Sequence, residues 1–407
     1  MCIRDRPRTR RARLVLFALV WATVVFSLFS IMETKFHHYA LPAVPALSIL
    51  AALGLGLAPD LAERAYGSWL GLGIPRVLSL LTGWTAVAVA PLVLAALAGV
   101  AGVLGIRDFR RARAGGRSSV RAVAPALAWP VALVAGTVCL FYLAWGLNYA
   151  RPPLEARLEL ESADSIGARE LEALAREAVA QANAHYRLVH GGSDDAGEPT
   201  VLPFSLAEGS VLLEGGWFRL AAELGLPRVI GQPYGQVKAT GVSWILEAFD
   251  ISGVFSPFTG EALINGRPPA VSLPAVMAHE QAHQRGFAPE DEASFMGILA
   301  AIRSQDPMVR YSAWARLTRT FAADLTRADR EARRALTEEL SPGVRRDWQA
   351  YSDYWEENRS AAAPVARAVN DRYLRAHGVE GGILSYGLVT RLLVAWARAH
   401  GGSLVPE

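Results

Sequence analysis

The sequence predicts a mainly α-helical chain: apolar helices that cross a membrane, followed by an α-rich α+β domain outside the lipid. Three observations predict it. The 407 residues are 52% hydrophobic, high for a protein that lives wholly in water. The excess is concentrated, because four uncharged runs, residues 14–32, 36–59, 77–106 and 122–150, all precede residue 151. Charge divides at the same place: residues 1–150 carry 15 Lys and Arg against 5 Asp and Glu, whereas 151–407 carry 26 against 33.

Each run is long enough to cross a hydrocarbon core of ~30 Å, which needs roughly 20 helical residues. The basic excess lies at their borders, where arginine sets topology, and so does not predict a nucleic-acid surface. The stretch RDFRRARAGGRSSVR, residues 107–121, holds six arginines and one aspartate. The positive-inside rule makes it cytoplasmic and sends the following helix, with everything after Trp145, outward. Four spanning helices would then put the other basic segment, residues 4–13, on the opposite face. An Arg-rich start before an apolar run also fits a signal peptide, but no small-residue cleavage site follows Met32, so an uncleaved helix is expected.

Residues 26–54, FSLFSIMETKFHHYALPAVPALSILAALG, resemble the tail of a polytopic lipid-linked-sugar glycosyltransferase, and the opening MCIRDR resembles a translated sequencing adapter. The expectation is that about the first 55 residues are a foreign or fused fragment. The domain plan is therefore 1–57, two apolar helices; 58–150, an anchor with two transmembrane helices; and 151–407, the soluble domain. Only Cys2 and Cys139 occur, which excludes a disulfide framework and a thiolate metal site.

Beyond the membrane, WGLNYARPPLEARLEL leaves through an aromatic edge and a proline pair. Residues 165–189 place Leu171, Leu174, Ala178 and Ala182 at helical spacing. HGGSDDAGEPT ends that helix as a polar loop. Residues 236–265 are β-branched and aromatic, broken by Gly and Pro, and predict short strands. From Leu273 to His400 the pattern is mostly helical, and residues 327–340 read as a charged helix face.

The chemistry concentrates in SLPAVMAHEQAHQRGFAPEDEASF, residues 272–295. His279-Glu280-Gln281-Ala282-His283 is an HExxH pentad, whose histidines lie one turn apart on one helix face and can share a zinc ion. Ser272 is expected as N-cap, Pro274 in the first turn and Gly286 as the C′ stop. Neither Gln281 nor Ala282 is charged, which suits a buried helix. Catalytic zinc keeps three protein ligands and an open position for water. On the next helix, from about Pro289, Glu292 shares a face with Phe295, Met296 and Leu299, so Glu292 is the expected third ligand. Glu290 and Asp291 occupy the first turn, favoured there by the helix dipole; Glu290 is the alternative ligand. Glu280 is the expected general base.

These stretches together, with ISGVFSPFTGEALIN, RYSAW at 310–314 and GGILSYGLVTRLLVAW at 381–396, resemble a bacterial membrane family, the domain of unknown function 3810, over about residues 60–400. The resemblance implies a zincin-like, gluzincin-type metallopeptidase fold with Glu292 in its carboxylate element. Ser294 and Leu263 depart from the family's usual residues.

Further candidates are weaker in pattern. Residues 257–265 could form an edge strand gripping an extended peptide through Glu261 or Asn265, or a structural loop. Tyr386 or Tyr311 could donate to an oxyanion, or satisfy a core hydrogen bond. His185 and His190 are expected to face solvent. The expected function is an integral cell-membrane zinc metallopeptidase with an extracytoplasmic catalytic domain, acting on a peptide or protein substrate. The rivals are a non-enzymatic zinc-stabilised envelope scaffold and a zinc hydrolase of a non-peptide amide.

Overall fold

In the computed structural model, which describes residues 59–67, 70–163, 165–360 and 387–405 with positions 364 and 368, helices dominate and one small sheet accompanies them. The expectations for the first 55 residues lie outside the described residues. The chain falls into two compact units, Met1–Gly71 with Val89–Arg151, and Leu72–Ala88 with Pro152–Glu407.

In the first unit, α1 (Pro59–Tyr66) precedes the pair α3 (Val89–Ala114) and α4 (Ser119–Ala144). Both long helices are apolar and long enough to span a bilayer, and most of their side chains face outward. They approach closely at Gly105, where a Cβ would stand 2.9 Å from the Ala126 carbonyl oxygen. The indole of Trp129 donates to Asp108 at 2.8 Å. A 3-10 turn, Gly146–Ala150, ends the pair.

The third apolar run is not one helix. α2 (Leu70–Thr82) stops at Gly83, and α3 starts only at Val89. The cause is tertiary: Lys238 Nζ donates to the carbonyls of Thr82 and Val87, at 2.9 and 3.0 Å, and holds the chain bent between them. Leu72–Ala88 accordingly belongs to the second unit.

The second unit continues with α5 (Ala168–Val189), α6 (Leu206–Glu223), β1 (Lys238–Ala239), α7 (Ser243–Ala248), β2 (Gly253–Ser256) and β3 (Glu261–Ile264). Then come α8 (Leu273–Gln284), α9 (Glu290–Ile302), α10 (Pro307–Ala328), α11 (Arg330–Glu338), α12 (Pro342–Glu357) and α13 (Leu388–Ala399). The expected residues of α5, Leu171, Leu174, Ala178 and Ala182, are all buried, mainly along α10. Ser205 and Glu208 close a capping box at the start of α6. Asp306 caps α10, and Asp329 both ends α10 and caps α11, so the charged stretch 327–340 spans a helix boundary.

The sheet order is β1-β3-β2, with β3 parallel to β1 and antiparallel to β2. β3 is thus the central strand, neither the edge strand nor the structural loop weighed for residues 257–265. Its four residues are all buried, which explains why EALI reads as a continuous rather than alternating pattern. One extended stretch in this region is helical instead, since α7 interrupts it. The core beneath is formed by α6, α8, α9 and α10, with Trp217, Phe295, Trp314 and Phe321 fully enclosed.

Candidate metal centre

α8 is buried on nearly every side, polar residues included. Each glutamine is satisfied at one end: Trp217 Nε1 donates to Gln281 Oε1 at 3.0 Å, and Gln284 Nε2 donates to the Gly260 carbonyl at 2.9 Å, while Gln281 Nε2 and Gln284 Oε1 have no partner. Ser272 precedes the helix without capping it; its hydroxyl donates to the Pro269 carbonyl at 2.8 Å. Ser312 of α10 instead accepts from Ala275 N at 3.0 Å. The far end follows expectation, because Gly286 takes φ +78° and turns the chain at once into α9. Arg285 pins this turn. It is fully buried between the rings of Trp217 and Tyr234, 4.6 and 4.4 Å from their centroids, donates to the Ile230 carbonyl at 2.9 Å and pairs with Glu214.

The tight turn aims the first residue of α9 back at the two imidazoles. Glu290 Oε2 stands 3.1 Å from His279 Nε2 and 3.8 Å from His283 Nε2, and one ligand atom from each of the three residues lies within 4.8 Å of the others. The inner nitrogens are fixed from behind. His283 Nδ1 meets the Phe287 carbonyl at 2.8 Å, and His279 Nδ1 meets Ser294 Oγ at 3.1 Å, which Arg316 also contacts at 3.3 Å. Such outer partners set the tautomer that leaves Nε2 for a metal. Ser294, one of the two departures from the family pattern, is thus the outer partner of His279.

Glu292 does not join them. Its side chain turns inward as expected, but one oxygen accepts from Leu154 N at 3.0 Å and the other pairs with Arg157, so the carboxylate is taken by the segment just after the 3-10 turn. The reason is helical geometry: two positions along a helix rotate a side chain by roughly 200°, so Glu290 and Glu292 cannot face the same ion. The carboxylate that stands with the two imidazoles is Glu290, the alternative named from the sequence, and not the expected Glu292.

Glu280 is 3% exposed, and its Oε2 has no hydrogen-bond partner. The other oxygen faces Gly253 of β2 so closely that a Cβ there would stand 2.5 Å from it. Burial pushes the Glu280 carboxyl up to about 8. Burial also lowers His279, to about 4. For His283 burial acts the same way, but the nearby carboxylate of Glu290 outweighs it and raises the imidazole to about 9. Burial opposes ionisation of Glu290, yet the hydrogen bond with His279 and the adjacent His283 imidazole hold its carboxyl well below the usual carboxylate range.

The other candidates are placed elsewhere. Glu261 forms a buried ion pair with Lys238 at 2.6 Å and accepts from Thr259 at 2.9 Å, so it is not offered to a peptide. Asn265 is fully buried, donating to Tyr354 at 3.3 Å and accepting from Arg267 N at 3.1 Å. Tyr311 is fully buried and donates to Asp347 at 2.6 Å, which serves the core rather than an oxyanion. Tyr386 lies outside the described residues. His185 is buried, not solvent-facing, and bonds the Gln181 carbonyl at 2.8 Å; His190 is half-buried, meets Thr200 Oγ1 at 2.9 Å and packs on Tyr186. Neither joins a metal cluster among the described residues.

The donor set tests whether a metal fits. Ligands each ~2.1 Å from a tetrahedral zinc ion stand roughly 3.4 Å apart, and the observed 3.1 and 3.8 Å bracket that value. Two imidazoles and one carboxylate are also the ligand types of catalytic zinc. Residues missed in the sequence are Gly253, Arg285, Arg316 and Arg157. Of these only Gly253 carried a signal, as a lone glycine inside a strand pattern, which marks a close approach.

Residues 68–394 match the family described as protein of unknown function (DUF3810). No curated protein and no solved structure matches the chain.

Proposed function

We propose that this chain, which belongs to the DUF3810 family, is a membrane-anchored zinc-dependent peptidase of the HExxH type. The observation that carries the reading is the convergence of His279 Nε2, His283 Nε2 and the Glu290 carboxylate beside the buried, unpartnered oxygen of Glu280. His279, His283 and Glu290 would hold the ion. When bound there, zinc supplies Lewis acidity, polarising a carbonyl and lowering the pKa of water from 15.7 to ~7.

The remaining chemistry belongs to the chain. Glu280 takes a proton from the attacking water and returns it to the leaving amine. A cation nearby favours its ionised form, against the burial that raises it. Gly253 leaves room for that carboxylate, and β2, an edge strand of the sheet, offers backbone groups on its outer side to an extended peptide. The Phe287 carbonyl and Ser294 keep the imidazoles oriented. An orphaned, buried carboxylate with no structural bond favours an enzyme over a zinc-stabilised scaffold, in which such a group would only destabilise. α3 and α4 would anchor the chain, with the Arg-rich turn in the cytoplasm and the site outside.

The test uses the full chain in detergent with stoichiometric zinc and a peptide library. Glu280→Gln should retain zinc while peptide cleavage falls on the order of 10²–10⁴-fold, the usual contribution of general acid–base catalysis. Wild-type behaviour of that variant in every assay would instead identify a scaffold.

A further inference from the structure

We infer that α2 is a lipid-facing element: its outer side lies in the headgroup and acyl boundary of the bilayer and ties the β2–β3 hairpin, and with it the site, to the membrane surface. The inference rests on the membrane-anchored reading above.

The segment LGLGIPRVLSLLTGWTAVA, residues 70–88, contains one charge, Arg76. Its inner side, Leu72, Pro75 and Ser79, is buried at helical spacing. Docking there is close and specific. A Cβ at Gly260, the hairpin turn with φ +68°, would stand 2.4 Å from Ser79 N, and one at Gly235 would stand 2.0 Å from the Ser79 carbonyl oxygen. Thr82 donates to the Thr259 carbonyl at 3.0 Å, Gly235 N donates to Ser79 Oγ at 3.1 Å, and Lys238 caps the last turn. Arg76 turns to the protein, donating to the Pro233 carbonyl at 3.3 Å.

The opposite side is apolar and open. Val77, Leu80, Leu81 and Val87 are exposed, Leu81 to 65%, and Trp84 is exposed to 83%. A helix rigidly fixed on one side and apolar on the other presents that side to something other than water. Thirteen residues reach about 20 Å, too short to span a bilayer. An indole with apolar neighbours is the composition of the membrane interface. The chain then enters α3, one of the two span-length helices, at Val89. This continuity selects lipid over a protein partner as the occupant.

The placement has a consequence for the site. Gly260 abuts α2 at one end of the hairpin and Gly253 abuts Glu280 at the other. β2 between them is four residues, about 13 Å, long. The general base is thereby held roughly one strand length from the docked helix.

The experiment places single cysteines at Leu81, Leu97 and Arg334 in the full chain carrying Cys2→Ser and Cys139→Ala. Each is labelled with an environment-sensitive fluorophore and reconstituted in phosphatidylcholine vesicles bearing nitroxides either near the headgroup or deep in the acyl chains. The label at 81 should emit to the blue of that at 334 and be quenched more by the shallow than by the deep nitroxide. The label at 97, within α3, should show the reverse preference, and that at 334 should be quenched by aqueous iodide alone. A label at 81 that behaves like the one at 334, or that is blue-shifted yet insensitive to both nitroxides and so covered by protein, overturns the inference while leaving the anchor intact. Failure of the label at 97 to meet the deep nitroxide overturns both. A label at Trp84→Cys repeats the measurement should Leu81→Cys fold poorly.

Discussion

Glu290 and Glu292 are separated by one residue and do opposite work. Glu290 meets the imidazoles, whereas Glu292 is locked by Arg157 and Leu154 N. Glu290→Ala should abolish stoichiometric zinc retention, read by metal analysis of the purified full chain. Glu292→Ala should keep the ion but destabilise the fold by about 1–3 kcal/mol, because it leaves the half-buried guanidinium of Arg157 without its carboxylate and Leu154 N without its acceptor; thermal unfolding reads this. Zinc loss in the second variant and retention in the first would reverse the assignment. Gly253 gives a second residue-scale expectation. Its backbone is not left-handed, so alanine is conformationally allowed, and the effect of Gly253→Ala is the contact with Glu280. Zinc affinity should persist while peptide turnover falls, by about tenfold or more if the carboxylate is displaced by an ångström.

At the scale of elements, the long periodic segments were legible and the short ones were not. α5 shows a buried stripe at helical spacing because it has one wet and one dry face. α8 offers no such contrast, since Gln281, Gln284 and Arg285 are buried with partners from other elements. The sheet was legible only as a region. Which strand lies central depends on pairing, and β3 is central because β1 and β2 flank it. Lys238 and Glu261 join β1 to β3, and the lysine also fixes the end of α2. Lys238→Met alone should cost about 3–5 kcal/mol by leaving Glu261 buried without its cation. Lys238→Met with Glu261→Leu should be markedly less destabilising in chemical denaturation. Equal losses from the single and double variants would show that the pair itself carries little of the cost.

For the whole molecule, an ion held by residues from two helices links metal to stability, because unfolding separates the ligands. Zinc at a hundredfold excess over its Kd should stabilise the second unit by about 2.7 kcal/mol. A chelator should therefore lower the melting temperature of the wild-type chain and leave that of Glu290→Ala unmoved. Equal response of both chains would argue that zinc acts elsewhere.

The sequence by itself determined the two span-length apolar helices, the helix bearing the HExxH pentad, its stop at Gly286 and the pair of carboxylates, Glu290 and Glu292, that follow it. These are local properties, set by composition, periodicity and the spacing of residues on one helix. Only the tertiary structure decided between Glu290 and Glu292, took Glu261, Asn265 and Tyr311 out of the site, broke the third apolar run at Gly83 and set Gly253 against Glu280. Each of those outcomes depends on which distant group reaches a side chain first, as Arg157 reaches Glu292 and Lys238 reaches Glu261, and no local pattern encodes that contest.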